Sequence, residues 1–168
     1  MHWNKKIIAS LGIIFLFLLT GCGYTPRPLL GTGLRTIAIE NLGNKTYQPG
    51  LEVLLTQAVR SEFIFDGTLK VVKKAQADLL LSGAVVDYTL KPLSYTQEDK
   101  AEGYWLRIRA KLTLKNLKTD KVVWQDRIIE GDARYLLVSS LASTEAQARG
   151  KALKDLAREI VRQTIDVW

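Results

Sequence analysis

The stretch Tyr104-Trp105-Leu106-Arg107-Ile108-Arg109-Ala110-Lys111-Leu112-Thr113-Leu114-Lys115-Asn116-Leu117 alternates almost from end to end. Tyr104, Leu106, Ile108, Ala110, Leu112 and Leu114 fall on one side, and Trp105, Arg107, Arg109, Lys111, Thr113 and Lys115 on the other. A period of two lets an extended chain bury one face and leave the other wet, as in an antiparallel sheet covered on one side. Lys118-Thr119-Asp120-Lys121 reads as a tight turn, so Val122–Ala133 returns beside this strand. Upstream, Lys91–Gly103 has a proline, a charge cluster and no apolar period; it is a loop leading back to a long strand over Leu79–Leu90.

Two amphipathic segments supply the cover. Leu51, Leu55, Ala58, Val59 and Phe63 recur at spacings of three and four, behind Pro49, which suits a helix's first position, and Glu52, which suits its positive end. Asp66-Gly67 stops that helix. Near the other end, Thr144 and Gln147 are spaced as a capping box, and Leu153, Leu156, Ala157, Ile160 and Val161 form a stripe, so a second helix is predicted from about Ser143 to Val167. Arg35–Glu40 alternates as a first strand and Thr68–Val72 as a short second one, a strand-helix-strand start that predicts parallel pairing. The order β-α-β-β-β-β-α defines an α+β, two-layer sandwich, with two helices on one face of a mixed four- to five-stranded sheet.

The N-terminal segment has a different purpose. Lys5 and Lys6 precede an apolar run of 13 residues, Ile7–Leu19, too short to span a bilayer but arranged as a secretory leader. Leu19-Thr20-Gly21-Cys22 closes it and resembles a bacterial lipobox. That resemblance implies cleavage before Cys22, a diacylglyceryl thioether on its sulfur and an acyl chain on its new amine. An ordinary leader would account for the apolar run but not for one unpaired cysteine in an exported chain. The expected organisation is a removed signal over 1–21, a lipidated tether over 22–34 rich in Pro and Gly, and a single domain over 35–168. Gly23, where an aspartate would retain a lipoprotein in the inner membrane of Gram-negative bacteria, favours the outer membrane.

Composition excludes more than it assigns. Lys5 and Lys6 are the leader's only charged side chains, so of 24 basic residues 22 remain beside 17 acidic ones, a formal charge of +5 over 147 residues. For an exported domain, this balance points to lipid phosphates, acidic glycans or acidic proteins rather than nucleic acid. The only histidine, His2, lies in the leader and the only cysteine is the lipidation site. Histidine acid-base chemistry, Ser-His-Asp and Cys-His nucleophiles and nearly all zinc sites are thereby removed. No GxSxG, SxxK, phosphate-cradling glycine loop or calcium loop replaces them. The carboxylate-based hydrolase that remains formally possible lacks any paired-acid motif. The expectation is a protein that is not an enzyme, with neither cofactor nor metal.

Several pieces, in order, resemble the LptE family of lipopolysaccharide-assembly lipoproteins. They are Gly21-Cys22-Gly23-Tyr24, Ile37-Ala38-Ile39-Glu40-Asn41 followed by Asn44-Lys45-Thr46, and Pro49-Gly50-Leu51-Glu52 with Leu55-Thr56. Ala77-Asp78-Leu79-Leu80-Leu81-Ser82-Gly83, Val122-Val123-Trp124 and Tyr135 complete the series. The resemblance implies a non-catalytic subunit on the periplasmic side of the outer membrane. It would plug and help assemble a large lipopolysaccharide-translocating β-barrel, the family's LptD partner, and bind lipopolysaccharide. The alternative is a lipid-anchored periplasmic adaptor that activates a peptidoglycan synthase or serves a secretion channel.

Candidate lipopolysaccharide contacts come from chemistry, not from a family motif. Arg107, Arg109, Lys111 and Lys115 project from one strand face roughly 6.6 to 7 Å apart per two residues, with Lys118 and Lys121 beyond the turn, a ladder suited to clustered phosphates. The same ladder also reads as an open face kept soluble by charge. Tyr88, Tyr95, Tyr104, Trp105 and Trp124 are candidate barrel-facing aromatics or, equally, cross-strand packing. The loops Leu42–Gln48 and Lys91–Gly103 are candidate barrel contacts.

Overall fold

The computed structural model describes residues 33–137 and 143–166. The leader, the lipidation site Cys22, most of the expected tether, and Val167 and Trp168 lie outside the described residues. The elements are β1 (Thr36–Ile39), β2 (Gly43–Asn44), α1 (Leu51–Asp66), β3 (Lys70–Val71), a 3-10 turn (Lys74–Gln76), β4 (Leu79–Pro92), β5 (Gly103–Asn116), β6 (Val122–Leu136) and α2 (Glu145–Ile165). The sheet runs β3-β1-β4-β5-β6 and is mixed. β1 is parallel to both β3 and β4, while β4, β5 and β6 form an antiparallel meander. Both helices pack on one face, giving the two-layer α+β sandwich, and among the described residues no helix is long and apolar enough to cross a membrane.

The sixth strand is one more than the sequence suggests. β2 lies in the turn-rich segment after β1 and continues its path along β4, with Gly43 opposite Ala84 and Asn44 opposite Val85. Two residues carry no periodicity to detect. Gly43 is favoured there because a Cβ would stand 3.3 Å from that of Ala84.

The start of α1 also departs from expectation. Gly50 is the N-cap, at φ 82°, and its carbonyl accepts from Leu54 N at 3.2 Å, so Pro49 stands outside the helix. Only glycine enters this left-handed conformation without strain. The helix buries Leu51, Leu55, Thr56, Val59 and Phe63, whereas Ala58 sits on its half-exposed flank. Thr56 is buried because its hydroxyl is saturated, donating to Glu52 O and accepting from Leu42 N. At the other end Gly67, at φ 74°, returns its amide to Phe63 O.

In β5 the alternating apolar set is the core: Leu106, Ile108, Ala110, Leu112 and Leu114 are fully buried. Each large aliphatic side chain so buried contributes roughly 1.5–3 kcal/mol. β4 stays in phase with them through a bulge at Val86, which puts Tyr88 and Leu90 beside Ile108 and Leu106 on the helix side, and Asp87 and Thr89 on the open side. α2 begins with the capping box the sequence contains: Thr144 Oγ1 accepts from Gln147 N, and the Gln147 side chain accepts from Thr144 N. Its small residues Ala148, Ala152 and Ala157 bring its backbone against β6. A Cβ on Gly131 would lie 2.3 Å from Leu156 N and 2.5 Å from Ala152 O. β6 is the outermost strand on its side, and it departs from regular pairing opposite Leu112–Lys115, where Asp126 takes φ 51°.

Candidate functional site

β4, β5 and β6 turn one side away from the helices, and β5 fixes its chemistry. Arg107 and Arg109 alternate with the buried Leu106, Ile108 and Ala110, so the core side chains force the guanidiniums outward. Register then decides what they meet. Arg107 stands opposite Asp132 of β6, and Arg109 opposite Asp87 of β4.

Arg107 Nε donates to Asp132 Oδ1 at 2.9 Å, and its Nη1 lies 3.3 Å from Glu130 Oε2. Arg109 turns the other way, donating from Nε and Nη2 to Asp87 Oδ2 at 3.1 and 2.9 Å. Among the described residues nothing bonds Arg109 Nη1. Lys111 Nζ lies 4.0 Å from Asp126 Oδ1, and Lys115 pairs with Asp120. Four of the six predicted cations therefore share one face, each beside a carboxylate.

The remaining two are placed differently. Lys118 Nζ lies 2.8 Å from Asp78 Oδ1 and donates to Gly33 O, so it ties the turn to the start of the domain. Lys121 lies exposed at the foot of β6. Sequence reasoning found the cations but missed Asp87, Glu130 and Asp132. Their positions opposite the arginines follow from pairing registers that the bulges reset.

At the upper end of this face, Asp87, Thr89, Lys91, Trp105, Arg107 and Arg109 line an open recess of about 160 Å³. The Arg107 guanidinium stacks 4.2 Å from the Trp105 ring centre, and Lys91 Nζ lies 6.0 Å from it. Burial pushes the Asp87 carboxyl up, but hydrogen bonds from Thr89 and Arg109, with the Arg109 charge, hold it below its ordinary value. The floor thus stays ionised while three cations surround it. Anion binding here means sharing or displacing a carboxylate at guanidiniums 30% and 43% exposed, where ion pairs are worth about 0–1 kcal/mol.

The candidate aromatics divide. Tyr104 stacks on Tyr135 with centroids 5.5 Å apart, Trp124 is buried, and the Tyr88 hydroxyl donates to Glu145 Oε1 at 2.6 Å, so these three serve packing. Trp105 and Tyr95 remain on the surface. The loop 93–102 is partly closed by a bridge between Tyr95 and Ala101.

The domain thus has two layers, one sheet face sealed by helices and the other carrying a lattice of paired charges. The chain belongs to the LptE family of lipopolysaccharide-assembly proteins, whose model it matches over residues 34–165; that family is non-enzymatic. None of the curated proteins matches the chain. Among solved structures, a hypothetical protein from Chlamydia trachomatis is similar at TM-score 0.59 and 9% identity, covering 78% of this chain and 95% of its own. A Xanthomonas campestris protein is similar at TM-score 0.57 and 15% identity, covering 81% and 89%. A minor lipoprotein from Acinetobacter baumannii follows at TM-score 0.52 and 17% identity, covering 78% and 92%. At these identities the likeness concerns the fold.

Proposed function

We propose that the chain is a non-catalytic outer-membrane lipoprotein, anchored through acyl chains on Cys22, that plugs and helps assemble the lipopolysaccharide-translocating barrel and binds lipopolysaccharide at the open sheet face. The family match over residues 34–165 carries this reading. The charge lattice supports it, because the lumen of a wide barrel is polar and a face of exchangeable ion pairs suits such a wall. Arg107 and Arg109, with Lys111 and Lys115 below them, are the proposed phosphate contacts. Arg109 Nη1 is the donor most readily offered, and Trp105 adds a flat apolar surface beside it. Lys118 and Lys121 extend the basic surface past the turn.

Retention of a large barrel when the full chain is captured from detergent-solubilised outer membranes is the expected result. Capture of a penicillin-binding protein or an oligomeric ring instead would replace this reading with that of a periplasmic adaptor.

A further inference from the structure

The end of the domain from which the chain runs back toward Cys22 differs in surface chemistry from the opposite end. Arg35 O accepts from Lys70 N at 2.9 Å, Asp78 Oδ2 accepts from Arg35 N at 2.7 Å, and Lys118 reaches both Asp78 and Gly33. These bonds gather the starts of β1, β3 and β4 and the β5–β6 turn at one end. The last turn of α1 joins them through the short connection Gly67–Leu69.

On that last turn Ile64 is 70% exposed and Phe65 is 87% exposed. Single exposed apolar residues are common, but here an adjacent pair stands one short connection from the exposed Lys70, at the end of the sheet where Arg35, Lys115, Lys118 and Lys121 also lie. The same end also holds the carboxylates Asp66, Asp78 and Asp120 and, where α2 ends beside α1, Glu159 and Asp166, both paired with Arg162. Asp78 is occupied by two amides and Lys118, and Asp120 by Lys115. At the opposite end, loop 93–102 carries Glu98, Asp99 and Glu102 against Lys100, with Lys91 and Arg134 on the strands below it.

We propose that this end is a membrane-contact surface, with Phe65 and Ile64 entering the headgroup region and Arg35, Lys70 and Lys121 meeting anionic phospholipid headgroups. Aromatic and aliphatic side chains ringed by cations are the composition of interfacial anchors, and basic side chains are drawn to an anionic lipid surface. The eleven steps along the chain from Cys22 to Gly33, extended at about 3.3–3.6 Å each, reach roughly 40 Å at most, enough to hold the domain near a membrane but not to orient it. The surface supplies the orientation. The proposal builds on the anchor reading above, and its test separates the two.

Full-length protein is isolated from membranes, the mass of residue 22 is determined, and the protein is returned to vesicles of phosphatidylethanolamine and phosphatidylglycerol. A nitroxide is placed on Phe65→Cys or, as control at the far end, on Glu98→Cys. The expected result is an oxygen-to-nickel accessibility ratio severalfold larger at 65 than at 98. It falls when phosphatidylcholine replaces phosphatidylglycerol or when Lys70→Glu and Lys121→Glu are added. Equal water access at both positions overturns the proposal, as does spin coupling between labels at 65, which would mean that a second copy covers this end. A bare Cys22 takes its own label and overturns the anchor reading alone. With Cys22→Ser, position 65 then still reports whether anionic vesicles are met.

Discussion

Asp78 and Lys118 close the base of the sheet, the carboxylate 2.8 Å from the ammonium and simultaneously accepting from the amides of Arg35 and Thr36. One short side chain at the head of β4 thereby fixes β1 and the β5–β6 turn. Burial pushes its acid upward, yet the amide of Arg35, the ammonium of Lys118 and the groups of Thr36 outweigh this and hold it at about 2 against an ordinary 3.8. A depressed carboxylate stabilises the fold above its unfolded value and loses that contribution as pH falls through the folded one. The melting temperature of the wild type should therefore drop more steeply between pH about 4 and about 2 than that of Asp78→Asn. At neutral pH Asp78→Asn should cost on the order of 1–2 kcal/mol by urea unfolding.

Gly131 is the position least able to accept a side chain. The added Cβ of Gly131→Ala meets backbone of α2, which cannot rotate away, so the helix must lift from β6. A loss of about 1–3 kcal/mol is expected, with α2 amides exchanging faster. An unchanged denaturation midpoint would show that α2 rides higher on the sheet than described.

The capping box makes a smaller, separable contribution. Thr144→Ala removes the acceptor for Gln147 N and should destabilise by about 1 kcal/mol, while Thr144→Asp should retain most of it.

Tyr88 links the strand after the bulge to the first turn of α2. Burial first, then the bond to Glu145 and its charge, raise the phenol well above 10.0. A group raised on folding stabilises below its unfolded value and ceases to do so as pH climbs beyond it. Wild-type stability should thus decline above pH 10, and Tyr88→Phe, losing about 1 kcal/mol at neutral pH, should show a shallower decline.

Arg107 and Arg109 test the open face. Because their ion pairs are partly exposed, Arg109→Ala should change stability by less than about 1 kcal/mol. It should weaken lipopolysaccharide binding several-fold, and the double change Arg107→Glu, Arg109→Glu should abolish most of the salt-sensitive part. Lipopolysaccharide affinity and salt response equal to wild type would assign the lattice to solubility instead.

The order of elements was legible because β5 alternates without interruption and both helices carry clear stripes. The Thr144–Gln147 cap and the stop at Gly67 were visible as local chemistry. What escaped depends on long-range geometry. The left-handed Gly50 displaced Pro49 from α1. β2 was too short to signal itself, and the extra residue at Val86 and the irregular pairing around Asp126 set which acid meets which arginine. A list of cations in sequence therefore looked like a free ladder, whereas register sets Arg107 and Arg109 opposite acids, and Lys111 and Lys115 meet Asp126 and Asp120 near the irregular stretch and the turn.

The uneven course of β6 has a further consequence. A straight outer strand of fifteen residues would offer its amides and carbonyls to any neighbouring copy and seed ribbons in a crowded compartment. The twist imposed near Asp126, with Glu130 and Arg134 exposed beyond it, spoils the match for a flat intruder. An outer edge shaped in this way resists strand-to-strand docking of another copy.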